Sequence, residues 1–176
     1  ILLWIGLGIT SGSLAAAAGD LVVSTEGAGN FINNSTLGAT ALTVGLAKRW
    51  LVYSDTPDLI AGAHTVKGGL ASDFRHYHAN YGTYAPGAVT ETGNGFIYND
   101  ATPSLTVGAI IDGTASHVYG DTPTGSLGYA IVSGLVDSED NVGNVITGGT
   151  ATYDQALADT MDAGSYSINY TGGLTS

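Results

Sequence analysis

The stretch Lys48-Arg49-Trp50-Leu51-Val52-Tyr53-Ser54-Asp55-Thr56-Pro57 divides the chain. Its apolar run, Trp50 to Tyr53, has the length and residue types of a short strand, and Asp55-Thr56-Pro57-Asp58 is turn chemistry that stops it. Before this stretch the sequence is small, repetitive and almost uncharged. After it come all four histidines and most of the acidic residues. Two of only four basic residues stand here side by side. One architecture is expected to end here and another to begin.

Outward from that stretch, composition narrows the function classes. The 176 residues suffice for one or two domains with a real core. Fifteen acidic residues against four basic ones give a net charge of −11, which repels phosphate backbones and anionic membrane surfaces, so no nucleic-acid partner is expected. Charged residues make up only 11% of the chain while Gly reaches 27, so small polar residues supply solubility, as in secreted bacterial surface proteins. Without cysteine, such a fold rests on sheet hydrogen bonds and packing. The opening Ile1-Leu2-Leu3-Trp4-Ile5-Gly6-Leu7-Gly8-Ile9-Thr10 lacks the basic start of a signal peptide and is too short to span a bilayer, although Ala15-Ala16-Ala17-Ala18 imitates a cleavage site. It reads as a buried strand, and no membrane insertion is expected. The start at Ile1 suggests a piece of something longer.

Residues 1–47 are short apolar runs separated by Gly and Asn turns: Leu14 to Ala18, Leu21-Val22-Val23-Ser24-Thr25, Phe31-Ile32 and Ala41-Leu42-Thr43-Val44. No window carries a helical period. Strand–turn units at this spacing suit short β-helix-like coils, each burying its inward face on the next, with Asn side chains satisfying backbone groups at the turns. Residues 50–112 are less regular and rich in aromatics, and large aromatics at the end of a Gly-rich stack suit a cap. From about Ala115 the pattern becomes hairpin-like: Ser116-His117-Val118-Tyr119, Leu127 to Val132, Gly148 to Tyr153, and Ser165-Tyr166-Ser167-Ile168-Asn169-Tyr170, whose Tyr166, Ile168 and Tyr170 share one face. The expected fold is all-β, with β-helix-like coils and an aromatic cap over 1–112 and an Ig-like antiparallel β-sandwich over 113–176.

Two sets of short strings carry a family resemblance. Arg49-Trp50-Leu51-Val52-Tyr53-Ser54, Gly69-Leu70-Ala71-Ser72-Asp73-Phe74 and Gly95-Phe96-Ile97-Tyr98 resemble the end of the β-helical passenger of filamentous-haemagglutinin-like exoproteins, which two-partner systems secrete. Val118-Tyr119-Gly120-Asp121, Gly134-Leu135-Val136 and Ala163-Gly164-Ser165-Tyr166-Ser167-Ile168 resemble the bacterial Ig-like repeats called MBG or YDG domains. The resemblance implies an extracellular, cell-surface adhesin without enzymatic activity, acting in attachment or biofilm. The family's amino-terminal secretion domain has no counterpart in these residues. The Ig-like unit also stops after Gly172-Gly173-Leu174, one strand short of the family's sandwich. That gap suggests an alternative, a filament subunit assembled by strand donation from residues 1–10.

Candidate chemistry is sparse. His76 and His78, with Asp73 and His64 nearby in sequence, have the i, i+2 spacing of a metal-binding strand but no second ligand pair, so they read as surface or cap histidines. Asp137, Glu139, Asp140 and Asn141 offer oxygen ligands to calcium without the pattern of a known calcium loop, so they read as a solvated acidic hairpin. In the β-helix-like part, Asp20, Glu26, Lys48 and Arg49 are too few for a polysaccharide-cleaving groove, and Ser11-Gly12-Ser13 is a turn rather than a nucleophile elbow. Tyr77, Tyr81, Tyr84 and Tyr98 suit either a hydrophobic cap, which is preferred, or a sugar-stacking surface. The glycosylation sequons at Asn33, Asn34 and Asn169 carry little meaning in a bacterial chain. No catalytic, cofactor or metal site is therefore assigned. The expected partners are cell-surface or matrix glycans and proteins, or further copies of the chain.

Overall fold

The computed structural model describes residues 9–25, 29–100, 103–111, 118–122, 125–158 and 164–176, and residues 2–4 and 112 by their backbone. Twelve elements follow in order: β1 (Leu2–Trp4), β2 (Leu14–Ala16), β3 (Leu21–Ser24), β4 (Leu42–Val44), β5 (Trp50–Ser54), β6 (Phe74–His76), β7 (Gly95–Tyr98), β8 (Thr106–Asp112), β9 (Ser126–Ser133), α1 (Val142–Val145), β10 (Gly148–Tyr153) and β11 (Tyr170–Thr175). The fold is all-β, with one helical turn of four residues and one short 3₁₀ turn among the described residues.

Two compact units emerge. The first comprises 1–103 together with 136–139, and the second comprises 104–135 and 140–176. Residues 104–112, placed from sequence in the β-helix-like segment, open the second unit, with Thr106–Asp112 forming β8.

In the first unit β1, β3, β5, β7 and β6 form one parallel sheet in that spatial order. Leu2, Val22, Leu51, Gly95 and Phe74 share one register line across it. Parallel pairing recurs at β2 with β4 and at the bridges Ile9 to Asn33 and Ile32 to Val66. Residues 2–4, part of the proposed donor segment, are thus already paired to β3, so strand donation would have to compete with that pairing.

Alternation decides which side chains meet. Leu21, Val23, Trp50, Val52, Phe96 and Tyr98 point to one face, where Ile9, Ala16, Phe31, Ala41, Leu42 and Leu70 complete an apolar cluster. Trp50 meets Phe96 edge-on at 5.3 Å between ring centres, and Phe31 lies 6.2 Å from Phe96. Val22, Leu51, Tyr53 and Ile97 point the other way, and Ala79, Val89, Phe74, Tyr81 and Tyr84 cover them. Both faces of β5 and β7 are therefore buried, which explains why their residues form continuous apolar runs. Each fully buried Phe, Leu or Val here contributes roughly 1.5–3 kcal/mol of transfer free energy.

Polar side chains satisfy the strand ends, as expected of asparagine at turns. Buried Asn33 donates from Nδ2 to the Lys67 carbonyl at 3.0 Å and accepts from Ser35 N and Oγ. Asn94 Oδ1 accepts from Trp50 N at 2.9 Å, and Asn30 Oδ1 accepts from Thr56 N at 2.7 Å. Gly68, in the left-handed region at φ 60°, lies against Asn33; a Cβ there would fall 2.2 Å from the Asn33 carbonyl oxygen.

The second unit consists of two antiparallel ribbons, β8 with β9 and β10 with β11, plus α1, whose N-cap is Asn141. None of its described residues is buried. The last strand runs over Tyr170–Thr175 and not over 165–170 as the sequence predicts. Asn169 instead spends its backbone N–H and side chain on Asp154, at 2.8 and 2.7 Å, and pairing starts beyond it. The expected strand over 116–119 falls partly outside the described residues.

Candidate functional site

A buried polar cluster in the first unit is built around Lys67. This residue follows Val66, which is held by the bridge to Ile32, and its side chain is 6% exposed. Its Nζ lies 2.5 Å from Asp137 Oδ1, 2.7 Å from Glu139 Oε2 and 5.1 Å from the centre of the Phe96 ring. Asp137 is fully buried. Its Oδ2 accepts from the Tyr98 hydroxyl at 2.7 Å, and its Oδ1 also accepts from the Glu139 backbone N–H at 2.9 Å. Glu139 accepts from Ser72 N at 2.8 Å and from Ser72 Oγ at 2.5 Å. The segment that carries both acids is pinned on either side. Leu59 N donates to the Val136 carbonyl at 3.0 Å, and Ser138 donates its N–H and Oγ–H to the Asp58 carboxylate.

One cation thus faces two carboxylates in a nearly dry setting. Burial pushes the Glu139 carboxyl upward, but hydrogen bonds from Lys67 and Ser72 outweigh it, so Glu139 is held below the usual carboxylate range. Burial, then the Asp137 charge, pushes the Tyr98 hydroxyl far up, so it stays a phenol and a donor. Beside the cluster opens a pocket of about 320 Å³ whose lining includes Asp58, His64, Lys67, Leu70 and Ser138.

This corrects the reading of Asp137 and Glu139 as a solvated acidic hairpin. Neither stands free for calcium: both are engaged by Lys67, Tyr98 and Ser72, while Asn141 caps α1. Local sequence misses the cluster because its members lie up to 72 positions apart. The one usable signal is Lys67 itself, an isolated lysine between Val66 and Gly68-Gly69 in a chain with four basic residues.

The other candidates are placed separately. His76 Nδ1 lies 2.6 Å from Glu91 Oε1, and its ring stacks on Tyr84 at 4.3 Å; His78 sits outside β6 at φ 59° and His64 meets the Gly62 carbonyl. Asp73 accepts from Asn94 N at 2.7 Å. Among the described residues no group of three or more His, Asp or Glu is placed to hold a metal ion. Tyr98 is fully buried, Tyr77 stacks on it at 5.6 Å, and Tyr81 packs edge-on against Tyr53 at 5.5 Å. These rings cover the sheet rather than forming one open platform. Arg49 holds that cover, donating to the carbonyls of Glu91, Pro86 and Val89 at 2.6, 3.2 and 3.2 Å while its Nε lies 3.6 Å from Asp20. Glu26 lies outside the described residues, and Asn33, one of the sequon positions, is buried.

No family model, curated protein or solved structure matches the chain. No helix among the described residues is long and apolar enough to cross a membrane.

Proposed function

We propose that the chain is a non-enzymatic extracellular module of a bacterial surface adhesin. In this reading the first unit is a short parallel β-helix with an aromatic cover, and the second is an Ig-like element that spaces or presents a binding surface. The supporting observation is the in-register parallel stacking of β1, β3, β5 and β7, repeated at β2 with β4 and at the Ile9–Asn33 and Ile32–Val66 bridges. Strands joined in this way, one rung per turn of chain, make rods suited to carrying tension and holding a surface away from the cell. A net charge of −11 on few charged residues fits an exposed, solvated exterior.

Beads coated with the purified chain, offered to cultured cells and to a glycan array, test this. Retention above that of beads carrying a charge-matched protein supports adhesion. Equal retention on cells, with no glycan bound, leaves a spacer without adhesive surface and overturns the attachment role.

A further inference from the structure

We propose that Lys67 and Asp137 become joined by an intramolecular amide bond that forms after folding, with Glu139 carrying the proton between them. The inference stands on the buried cluster alone and does not depend on the adhesive reading.

The reaction needs an amine and a carboxyl group held in contact, protection from water, a proton carrier and donors for the developing oxyanion. Each is in place. Lys67 Nζ lies in hydrogen-bond contact with Asp137 Oδ1 at 2.5 Å. Asp137 is fully buried and Lys67 nearly so, against Phe96 and Tyr98, which are themselves fully buried. The reaction requires one proton to pass from Lys67 Nζ to Asp137 Oδ1 before the attack. Glu139 Oε2, 2.7 Å from Nζ, is placed to relay that proton. Ser72 fixes the Glu139 carboxylate from two directions.

The step balances without any further reactant. The neutral Nζ attacks Cγ of Asp137, forming the N–C bond. The tetrahedral oxyanion on Oδ2 is stabilised by the Tyr98 hydroxyl, which already donates there at 2.7 Å. A second nitrogen proton passes through Glu139 to the hydroxyl on Oδ1, the Cγ–Oδ1 bond breaks, and one water departs. Nothing is oxidised or reduced. The pocket beside Lys67 and Ser138 gives that water a way out. Amide formation between free groups in water is unfavourable, but groups held in contact reach effective molarities on the order of 10⁵–10⁸ M, enough to reverse the balance. The product closes the chain from 67 to 137, so a pull applied across these two residues bypasses the strands between them.

The test is the intact mass of the folded protein, measured after denaturation, followed by protease mapping. The expected result is a wild-type mass lower by one water and a branched peptide joining the segments that contain Lys67 and Asp137. Glu139→Gln, which keeps the size of the side chain and most of its hydrogen bonds, is expected to fold and to retain its full mass. Lys67→Met is expected to retain its full mass whether or not it folds, so the wild-type result decides the matter. A wild-type chain that unfolds in one cooperative transition, yet keeps its full mass fresh and after prolonged incubation at neutral pH, overturns the proposal and leaves an ion pair. A water loss that maps to Asp112-Gly113, where an aspartyl succinimide forms readily, overturns it equally.

Discussion

Arg49 donates from Nη1 to the backbone carbonyl of Glu91, 2.6 Å away and 42 positions later in the chain. With the carbonyls of Pro86 and Val89 on Nη2, one guanidinium fastens the segment that carries Tyr84 over Leu51 and Tyr53. A planar group with five donors suits three carbonyls at fixed angles, and a lysine ammonium does not. Arg49→Lys is expected to cost about 2 kcal/mol, the scale of lost charge-assisted hydrogen bonds. Amide hydrogen exchange should accelerate over residues 79–91 before it does in β5. Uniform acceleration across the unit would show that Arg49 does not act locally.

Gly95 lies under the Phe74 ring, and a Cβ there would fall 2.0 Å from the Phe74 Cζ. Gly95→Ala is expected to destabilise by roughly 1–3 kcal/mol through overpacking. Combining it with Phe74→Leu should restore part of the loss, giving a double-mutant coupling of at least about 0.5 kcal/mol in denaturant melts. Strict additivity would mean that the two residues do not meet.

Acid should loosen the cover. Burial raises the Glu91 carboxyl, but hydrogen bonds from His76 and Tyr84 outweigh it, and the group is held below its ordinary value of 4.5. A carboxyl lowered on folding contributes stability that is fully present above about pH 4.5 and is lost as the pH falls toward the folded value. Urea midpoints recorded from pH 6 down to pH 3 should therefore fall, and Glu91→Gln should flatten part of that slope. Glu139 is lowered in the same direction and supplies another part, so the slope should not vanish in the single variant.

Removing one member of the buried cluster strands the others. Compared with the chain before its amide forms, Lys67→Ala leaves the Asp137 and Glu139 carboxylates facing each other without their cation and is expected to cost about 3–5 kcal/mol in thermal or urea unfolding. On the same footing Tyr98→Phe removes the donor to Asp137 Oδ2 and should cost less, about 1–3 kcal/mol. The reverse ranking would contradict the hydrogen-bond pattern.

Strands whose two faces are both buried were legible because local composition suffices to mark them. Trp50–Ser54 and Leu21–Ser24 are apolar runs bounded by turn residues, and each is a strand at almost the expected bounds. Tyr170–Thr175 was not legible, because Gly172 and Gly173, both at positive φ, look like the end of a strand rather than its interior. The Lys67 cluster was hidden for a different reason. Carboxylates at 137 and 139 beside Ser138 and Asp140 have the composition of a solvated loop, and only tertiary packing places an amine 70 positions away against them. The metal spacing of His76 and His78 was legible but uninformative, since His76 meets Glu91 and Tyr84 while His78 leaves the strand.

The spatial order in which β7 lies between β5 and β6, although β6 comes first in the chain, has a kinetic consequence. A chain emerging from its amino terminus offers Phe74–His76 to β5 before Gly95–Tyr98 exists. Leu51, Gly95 and Phe74 share one register line, so β6 can occupy the place of β7 without a shift. That premature pairing must break before β7 inserts. Non-local parallel pairing is already slow, and here the competitor is native and in register. Refolding of the first unit within the whole chain should therefore contain a slow phase that shortens when Phe74 is made polar.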